Sequence, residues 1–174
     1  MRPKHLLPIA LFVVPAIAEA QAGIDVQRFR PPPGPQALMT LERARIGGHL
    51  QPGFGLWINH GADPLVLHHR DGRVEPLVEG QTGFDLNAAV GLWDLAEVGL
   101  SVPLSAVSSH GFGAGDLRLS GKLIVLGESG ADATAVRAEV AMPTGDAGGY
   151  RGSDGVGVAA WYVPTWDHGS VDLT

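Results

Sequence analysis

Two groups of side chains have the types from which a metal site could be built. Residues 60–71 contain three imidazoles and two carboxylates, which are zinc ligands in other proteins: His60, His68, His69, Asp63 and Asp71. His68 and His69 are adjacent, so on an extended chain they point to opposite sides and cannot both face one ion. Asp146 and Asp154 flank a glycine-rich loop and carry the oxygen ligands that calcium prefers, but their spacing matches no calcium loop. We therefore expect a solvated loop and a turn, with no metal and no cofactor.

Nucleophilic or phosphate-binding chemistry has little support in the sequence. Residues 108–110 (SSH) place hydroxyls beside an imidazole, yet no G-x-S-x-G motif surrounds them. Residues 111–115 (GFGAG) lack the lysine and the strand-to-helix context of a phosphate-binding loop. The chain contains no cysteine. The sequence therefore predicts a non-enzymatic protein.

Two short motifs, GAGD at residues 113–116 and PTGD at residues 143–146, have the composition of turns. Proline ends a strand, glycine accepts positive φ, and an aspartate side chain bonds neighbouring amides. The predicted turn residues are Gly113, Gly115, Asp116, Pro143, Thr144, Gly145 and Asp146.

The first 22 residues have the three parts of a cleaved secretory signal. Arg2 and Lys4 are the positive region, residues 6–17 are apolar, and Ala20 and Ala22 mark the cleavage site. The apolar stretch is shorter than the roughly 20 residues that span a bilayer. We expect residues 1–22 to be a signal peptide, residues 23–37 to be a proline-rich extended spacer, and residues 38–174 to be a partial β-barrel domain.

The net charge of the chain limits which classes of partner it can bind. Of 12 basic and 18 acidic residues, the signal peptide holds Arg2, Lys4 and Glu19, so the mature chain carries 10 and 17, a net of −7. An acidic chain of this kind is a poor ligand for nucleic acid, and we predict none as a partner.

Beyond the spacer, apolar residues recur with a period of two, which is typical of strands with two different faces. This alternation occupies residues 84–92, 97–104, 116–125 and 136–142, and more weakly residues 50–58 and 156–164. Residues 38–46 fit a helical turn or a lead-in strand, and the following glycines favour the strand. No apolar run after residue 22 is long enough for a membrane helix, so a membrane location requires a barrel. The predicted fold is all-β: an antiparallel up-and-down meander of about six amphipathic strands, part of an outer-membrane β-barrel.

Connection lengths and face composition favour a barrel over a soluble sandwich. Residues 60–79 read as a long loop, residues 93–95 as a tight turn, and residues 105–114 and 144–155 as glycine-rich loops. Long and short connections alternate in outer-membrane barrels. The less apolar face would carry lumen charges, which would influence permeation or only pair with one another: Asp116, Arg118, Lys122, Arg137 and Glu139.

Aromatic residues fall near several predicted strand ends. Barrels in membranes place such residues in girdles at the two interfaces. The candidates are Trp57, Trp93, Trp161, Tyr162 and Trp166.

The GAGD motif together with residues 139–146 (EVAMPTGD) resembles a motif pair in outer-membrane barrels of the phenol-degradation meta-pathway type. Residues 41–67 are similar to the N-terminal barrel of myxobacterial-type OmpA-family proteins. The resemblance implies an outer-membrane channel or envelope anchor in contact with outer-membrane lipid. OmpA-like members also carry a periplasmic domain that binds peptidoglycan, and such a C-terminal domain would be missing here.

Single-chain barrels start at eight strands and usually end on an aromatic residue. We therefore expect a truncated barrel, with assembly from several copies as the alternative. Two other hypotheses stay open. One is a soluble exported β-sandwich that binds a ligand or partner through glycine-rich loops. The other is a cell-surface interaction module that uses residues 60–79.

Overall fold

The computed structural model describes residues 24–37, 39–129 and 132–166. The predicted signal peptide lies outside the described residues, as do residues 167–174. The chain is all-β, which confirms the predicted fold class. Its strands are β1 (Pro52–His68), β2 (Val74–Leu92), β3 (Ala96–Val107), β4 (Gly111–Ala114), β5 (Leu117–Gly127), β6 (Ala133–Met142) and β7 (Gly157–Thr165), with a 3-10 turn at Ala147–Gly149.

All seven strands belong to one antiparallel sheet that curls into a half-barrel. Its order is β1-β2-β3-β5-β6-β7, so six strands each pair with the next one along the chain, and the predicted meander is confirmed. The short β4 pairs with the end of β3. The strand is then interrupted at Gly115 and Asp116, after which β5 continues beside β3. Among the described strands, β1 and β7 have a strand partner on one side only.

The register sorts side chains onto two faces, because successive residues of a strand point to opposite sides. One row of paired residues across the six strands is wholly apolar: Phe54, Ala88, Leu100, Leu119, Val140 and Val158. The next row is small or polar: Gly55, Asn87, Ser101, Arg118, Ala141 and Gly157. We call these two sides of the sheet the apolar face and the polar face.

The chain before β1 lies on the polar face. We call residues 24–37 and 39–51 the covering segment. Its backbone bonds to the strands and loops beneath it, from Val26 N to the Tyr150 carbonyl at 3.2 Å and from Leu50 N to the Gly91 carbonyl at 2.8 Å. The sequence predicts a spacer at residues 23–37 and gives no sign of these contacts.

The strand favoured at residues 38–46 is wrong. The described residues 39–46 form no strand, with Leu41 making only an isolated bridge. The physical reason is that this stretch crosses the face of the sheet instead of joining its edge. Ala44 N, for example, donates to the Thr165 side-chain oxygen at 2.8 Å and not to a strand carbonyl.

Apolar side chains of the covering segment and of the sheet form two small buried clusters. One joins Ala44 and Ile46 to residues of β5, β6 and β7: Ile124, Ala133, Ala135 and Val163. The other joins Val26 to Val78 and Val107. The buried hydrophobic groups therefore lie between the covering segment and the polar face.

The connections alternate between the two ends of the sheet. The turn at residues 93–95 and the connection from β5 to β6 lie at one end, and the connections at residues 69–73, 108–110 and 143–156 lie at the other, which we call the loop end. The turn at residues 93–95 is a tight hairpin in which Trp93 and Asp94 have φ of 53° and 54°. Two positive φ values are typical of hairpin turns that match the twist of the strands.

The predicted long loop at residues 60–79 is wrong. β1 continues to His68 and β2 begins at Val74, so this stretch is a hairpin that extends past the end of β3. A register shift between Ala62 and Leu65, with Asp63 at φ 46°, interrupts the alternation. At this bulge the alternation of apolar and polar residues breaks, and a proline follows Asp63. The sequence of this part of the strand therefore resembles that of a loop.

Candidate functional site: the covered polar face

Charged side chains from the sheet and from the covering segment meet near the middle of the polar face. Lys122 Nζ lies 2.9 Å from Glu42 Oε1 and 3.1 Å from Glu97 Oε1. Arg137 uses Nη1 to reach Glu42 Oε2 at 3.1 Å and Nη2 to reach Glu139 Oε2 at 2.6 Å. Every side chain in this group is at least 87 % buried, since the largest exposed fraction is the 13 % of Glu139. We call these five residues the central ion cluster.

A second buried pair lies toward the loop end. Arg118 Nη2 donates to Asp85 Oδ1 at 2.9 Å, and Gln27 Nε2 of the covering segment donates to Asp85 Oδ2 at 2.6 Å. Asp85 is fully buried. Buried charges are tolerated where they are paired and hydrogen-bonded, and both oxygens of this carboxylate are.

Glycines on the polar face make room for the covering segment. A Cβ atom at Gly53 would lie 2.6 Å from Pro35 Cγ, and one at Gly99 would lie 2.9 Å from Pro33 Cβ. At Gly91 it would meet the backbone carbonyl oxygens of residues 47 and 48. Only glycine, which has no Cβ, allows the proline rings and the backbone of the segment to come so close. The sheet is therefore shaped to carry this segment.

Some buried polar atoms of the face have no partner among the described residues. They are Asn87 Oδ1 and Nδ2, Gln81 Nε2, Glu97 Oε2 and Arg118 Nε. Two cavities flank residues 24–30. One of about 450 Å³ is lined in part by Arg30, Asp116 and Arg118, and one of about 640 Å³ is lined in part by Phe29, Asn59 and Gln81. The face is thus polar and incompletely filled.

The two predicted turn motifs meet at the loop end. Asp116 Oδ1 accepts from Gly145 N at 2.9 Å, and Thr144 Oγ1 accepts from Leu117 N at 2.9 Å. Gly115 N donates to the Pro103 carbonyl at 2.8 Å. Asp116 Oδ2 also accepts from Ser153 N at 2.8 Å. The motifs therefore tie β3, β5 and the β6–β7 loop together.

Asp146 organises the loop that follows the second motif. Its carboxylate accepts from Gly149 N at 3.1 Å and from Arg151 Nη2 at 2.7 Å. The hydrogen bond from the Gly149 backbone is the main cause that lowers the pKa of Asp146, followed by the hydrogen bond and charge of Arg151. Arg151 is buried and also donates to the carbonyls of His110 and Gly111, at 3.1 and 3.0 Å.

The structure places the five candidate lumen charges on the polar face or at its rim. Lys122, Arg137 and Glu139 belong to the central ion cluster, and Arg118 pairs with Asp85. Asp116 lies apart, bonded to the loop. Sequence reasoning missed the contributions of Glu42 and Gln27, which lie 80 and 58 residues before their partners Lys122 and Asp85. No periodicity reports a contact at that separation.

The candidate aromatic girdle is divided between the faces. Trp57 pairs in register with Asp85 and Trp161 with Arg137, so both lie on the polar face, where they cannot join a lipid-facing belt. Arg137 lies over the Trp161 ring, 4.9 Å from its centroid. Tyr162 lies on the apolar face, while Trp93 and Trp166 are exposed beyond strand ends. The predicted position near strand ends is wrong for Trp57 and Trp161, which lie within β1 and β7, because both strands are placed by register and not by the aromatic residues.

The histidines of the described residues, and the serine next to one of them, form no recognised site. His60 contacts Thr82 Oγ1 at 3.0 Å and His69 contacts Glu75 Oε2 at 2.9 Å. No group of three or more His, Asp or Glu side chains placed to hold a metal occurs in the described part of the chain. Ser109 Oγ lies 2.6 Å from His110 Nδ1, and both side chains are exposed.

The apolar face is open along its whole width. Large hydrophobic side chains from β1 to β7 are exposed there, for example Phe54 (81 %), Leu100 (40 %), Leu119 (48 %) and Val158 (70 %), while others on β2 and β3, such as Phe84 and Leu104, are half-buried. Large contiguous apolar patches of this kind are uncommon on monomeric soluble proteins and mark contact with a partner or a membrane. No described helix is long and apolar enough to cross a membrane.

Comparison with protein-family models, with curated proteins and with solved structures finds no match for this chain. The predicted resemblance to OmpA-family and meta-pathway barrels therefore stays a prediction.

Proposed function

We propose that this chain is an outer-membrane β-barrel protein that acts as a channel or envelope anchor and has no catalytic role. The observation that carries this proposal is the inversion of its two faces. The polar face, with its charged residues, is buried beneath the covering segment, while the apolar face is exposed. A barrel in a membrane has this arrangement, with lipid outside and polar groups inside.

Strand length supports the same proposal. β3, β5, β6 and β7 contain 12, 11, 10 and 9 residues. A tilted transmembrane strand needs about 9–11 residues. The longer β1 and β2, of 17 and 19 residues, extend beyond this band at the loop end, where barrels carry their external parts.

The composition of the polar face also suits the water-filled lumen of a barrel. Paired charges of both signs lie beside buried amide and hydroxyl groups, and the unpartnered atoms of Asn87 and Gln81 are of the kind that ordered water satisfies. Closing the half-barrel requires further strands at the edges of β1 and β7, because a lipid-exposed sheet edge would leave backbone groups unpaired.

Membrane fractionation of the full reading frame in its native host tests the proposal. We expect the protein to stay in carbonate-washed membranes and to run with heat-modifiable mobility on gels, as folded barrels do. A protein that is released as a soluble monomer, with no detergent needed, would instead favour the exported β-sandwich with ligand-binding loops.

A further inference from the structure

The cations of the polar face are paired within the sheet, without help from the covering segment. Arg118 has Asp85 at 2.9 Å and Lys122 has Glu97 at 3.1 Å. Arg137 has Glu139 at 2.6 Å. Moving the covering segment away therefore leaves each of these cations with a carboxylate, and avoids the large cost of an unpaired buried charge.

Glu42 is the carboxylate by which the covering segment holds the central ion cluster. It bridges Lys122 on β5 and Arg137 on β6, at 2.9 and 3.1 Å. It is thus a second partner for both cations. Its removal weakens the attachment of the segment but leaves the ion pairs of the sheet in place.

The rest of the attachment consists of separate contacts instead of a strand ladder: the two small apolar clusters around Val26 and around Ala44 and Ile46, the hydrogen bond from Gln27 to Asp85, and a few further hydrogen bonds. Ala44 N donates to Thr165 Oγ1 at 2.8 Å, and Ile46 N donates to Ser129 Oγ at 3.0 Å. The prolines at residues 31–33 are buried on the face but have no N–H to donate. Separate contacts of this kind can be released while the six paired strands stay intact.

We propose that the covering segment is a displaceable plug, and that its release opens a polar path for small hydrated solutes. This inference rests on the proposed channel function. The face beneath the plug holds three ion pairs with no net charge, together with Asn87, Ser101 and Ser105. The open path therefore admits polar solutes of either sign and does not select by charge.

Two variants move the plug in opposite directions. Glu42→Gln removes the bridging carboxylate, and the neutral amide that replaces it makes weaker hydrogen bonds to Lys122 and Arg137 than a charged group does. We therefore expect the open probability of the full-length protein in planar bilayers to rise about tenfold. Pro33→Cys with Gly99→Cys locks the plug. The two Cβ positions lie 2.9 Å apart, so a small outward shift gives the ~3.8 Å of a disulfide, and the native chain has no competing cysteine.

Oxidation of the double-cysteine variant is expected to abolish opening, and reduction to restore it. Glu79→Gln, the same change at an exposed carboxylate, is the matched control and is expected to behave as the unmodified protein. Heat-modifiable mobility of every variant is checked first, so that failure to form a barrel is seen separately and counts against the proposed function alone.

A second measurement does not depend on conduction. A cysteine introduced at Ala44, which is 1 % exposed, reports plug release by its rate of reaction with a maleimide. We expect Glu42→Gln to raise this rate about tenfold. An oxidised double-cysteine variant that conducts like its reduced form would overturn the plug. So would a Glu42→Gln protein with unchanged opening and unchanged labelling.

Discussion

At the scale of single residues, the polar face depends on partners that come from distant parts of the chain. Arg118, Lys122, Arg137 and Glu139 can be assigned to one face from alternation alone, because the period of two fixes which side each occupies. Glu42, the carboxylate of the covering segment that pairs with Lys122 and Arg137, could not be predicted. It precedes Lys122 by 80 residues, in a stretch whose own pattern indicates a strand that does not form.

Lys122 tests how much the central ion cluster contributes to stability. Lys122→Met leaves Glu97 without its cation and Glu42 with only Arg137, so we expect a loss of about 3 kcal/mol in the free energy of unfolding. Arg30→Met is the matched control, since Arg30 pairs with Asp25 at 2.9 Å with half of its side chain exposed, and should cost less than about 1 kcal/mol. Urea titration followed by tryptophan fluorescence measures both. Equal costs for the two variants would show that the cluster is not buried.

Asp146 provides a pH test at the loop end. Its folded-state pKa is lowered, so its contribution to stability is present above the unfolded pKa of about 3.9 and is lost as pH falls through the lower folded value. We expect the Gly149 amide to lose its protection from hydrogen exchange only at pH values below the pKa of an ordinary aspartate. Asp146→Asn should remove this acid transition. A carboxyl that titrates at or above 3.9 by NMR would contradict the hydrogen bonds described.

At the scale of elements, the central parts of the six longer strands are predictable, whereas the outer part of the β1–β2 hairpin, the short β4 and the covering segment are not. The strands alternate because one side meets an apolar surface and the other a polar one, and that requirement is local to each strand. The covering segment has no repeating partner. Its prolines indicate only an extended chain, and the glycines that receive it lie on strands more than forty residues away in some cases, such as Gly91 beneath residues 47 and 48.

Gly91 tests whether the covering segment shapes the sheet. In Gly91→Ala the new methyl group would lie 2.5 Å from the Gly48 carbonyl oxygen, and nearer to that of Gly47, so we expect a cost of about 1–3 kcal/mol and a displaced segment. Gly121→Ala is the control, because it lies on the apolar face with nothing within 4 Å of the new atom. Thermal unfolding compares them. If both variants melt with the unmodified protein, the segment does not lie against Gly91.

At the scale of the whole molecule, alternation predicts two faces but not what meets them. The apolar face could be covered by lipid or by a second sheet, and both give the same sequence pattern. The structure adds that the polar face is the covered one. A sandwich buries its apolar face, so the buried charges and the exposed apolar side chains such as Phe54 and Val158 support our proposal that a bilayer is the apolar phase.

The absence of cysteine makes site-specific labelling the most direct measurement of that claim. An environment-sensitive fluorophore is attached to a cysteine at Leu100, in the middle of the apolar face, or at Glu128, in an exposed turn. In reconstituted bilayers we predict that the label at residue 100 emits at shorter wavelength and is quenched by lipid-borne quenchers, whereas the label at residue 128 responds to a water-soluble quencher. A label at residue 100 that is quenched only from water would contradict the membrane barrel.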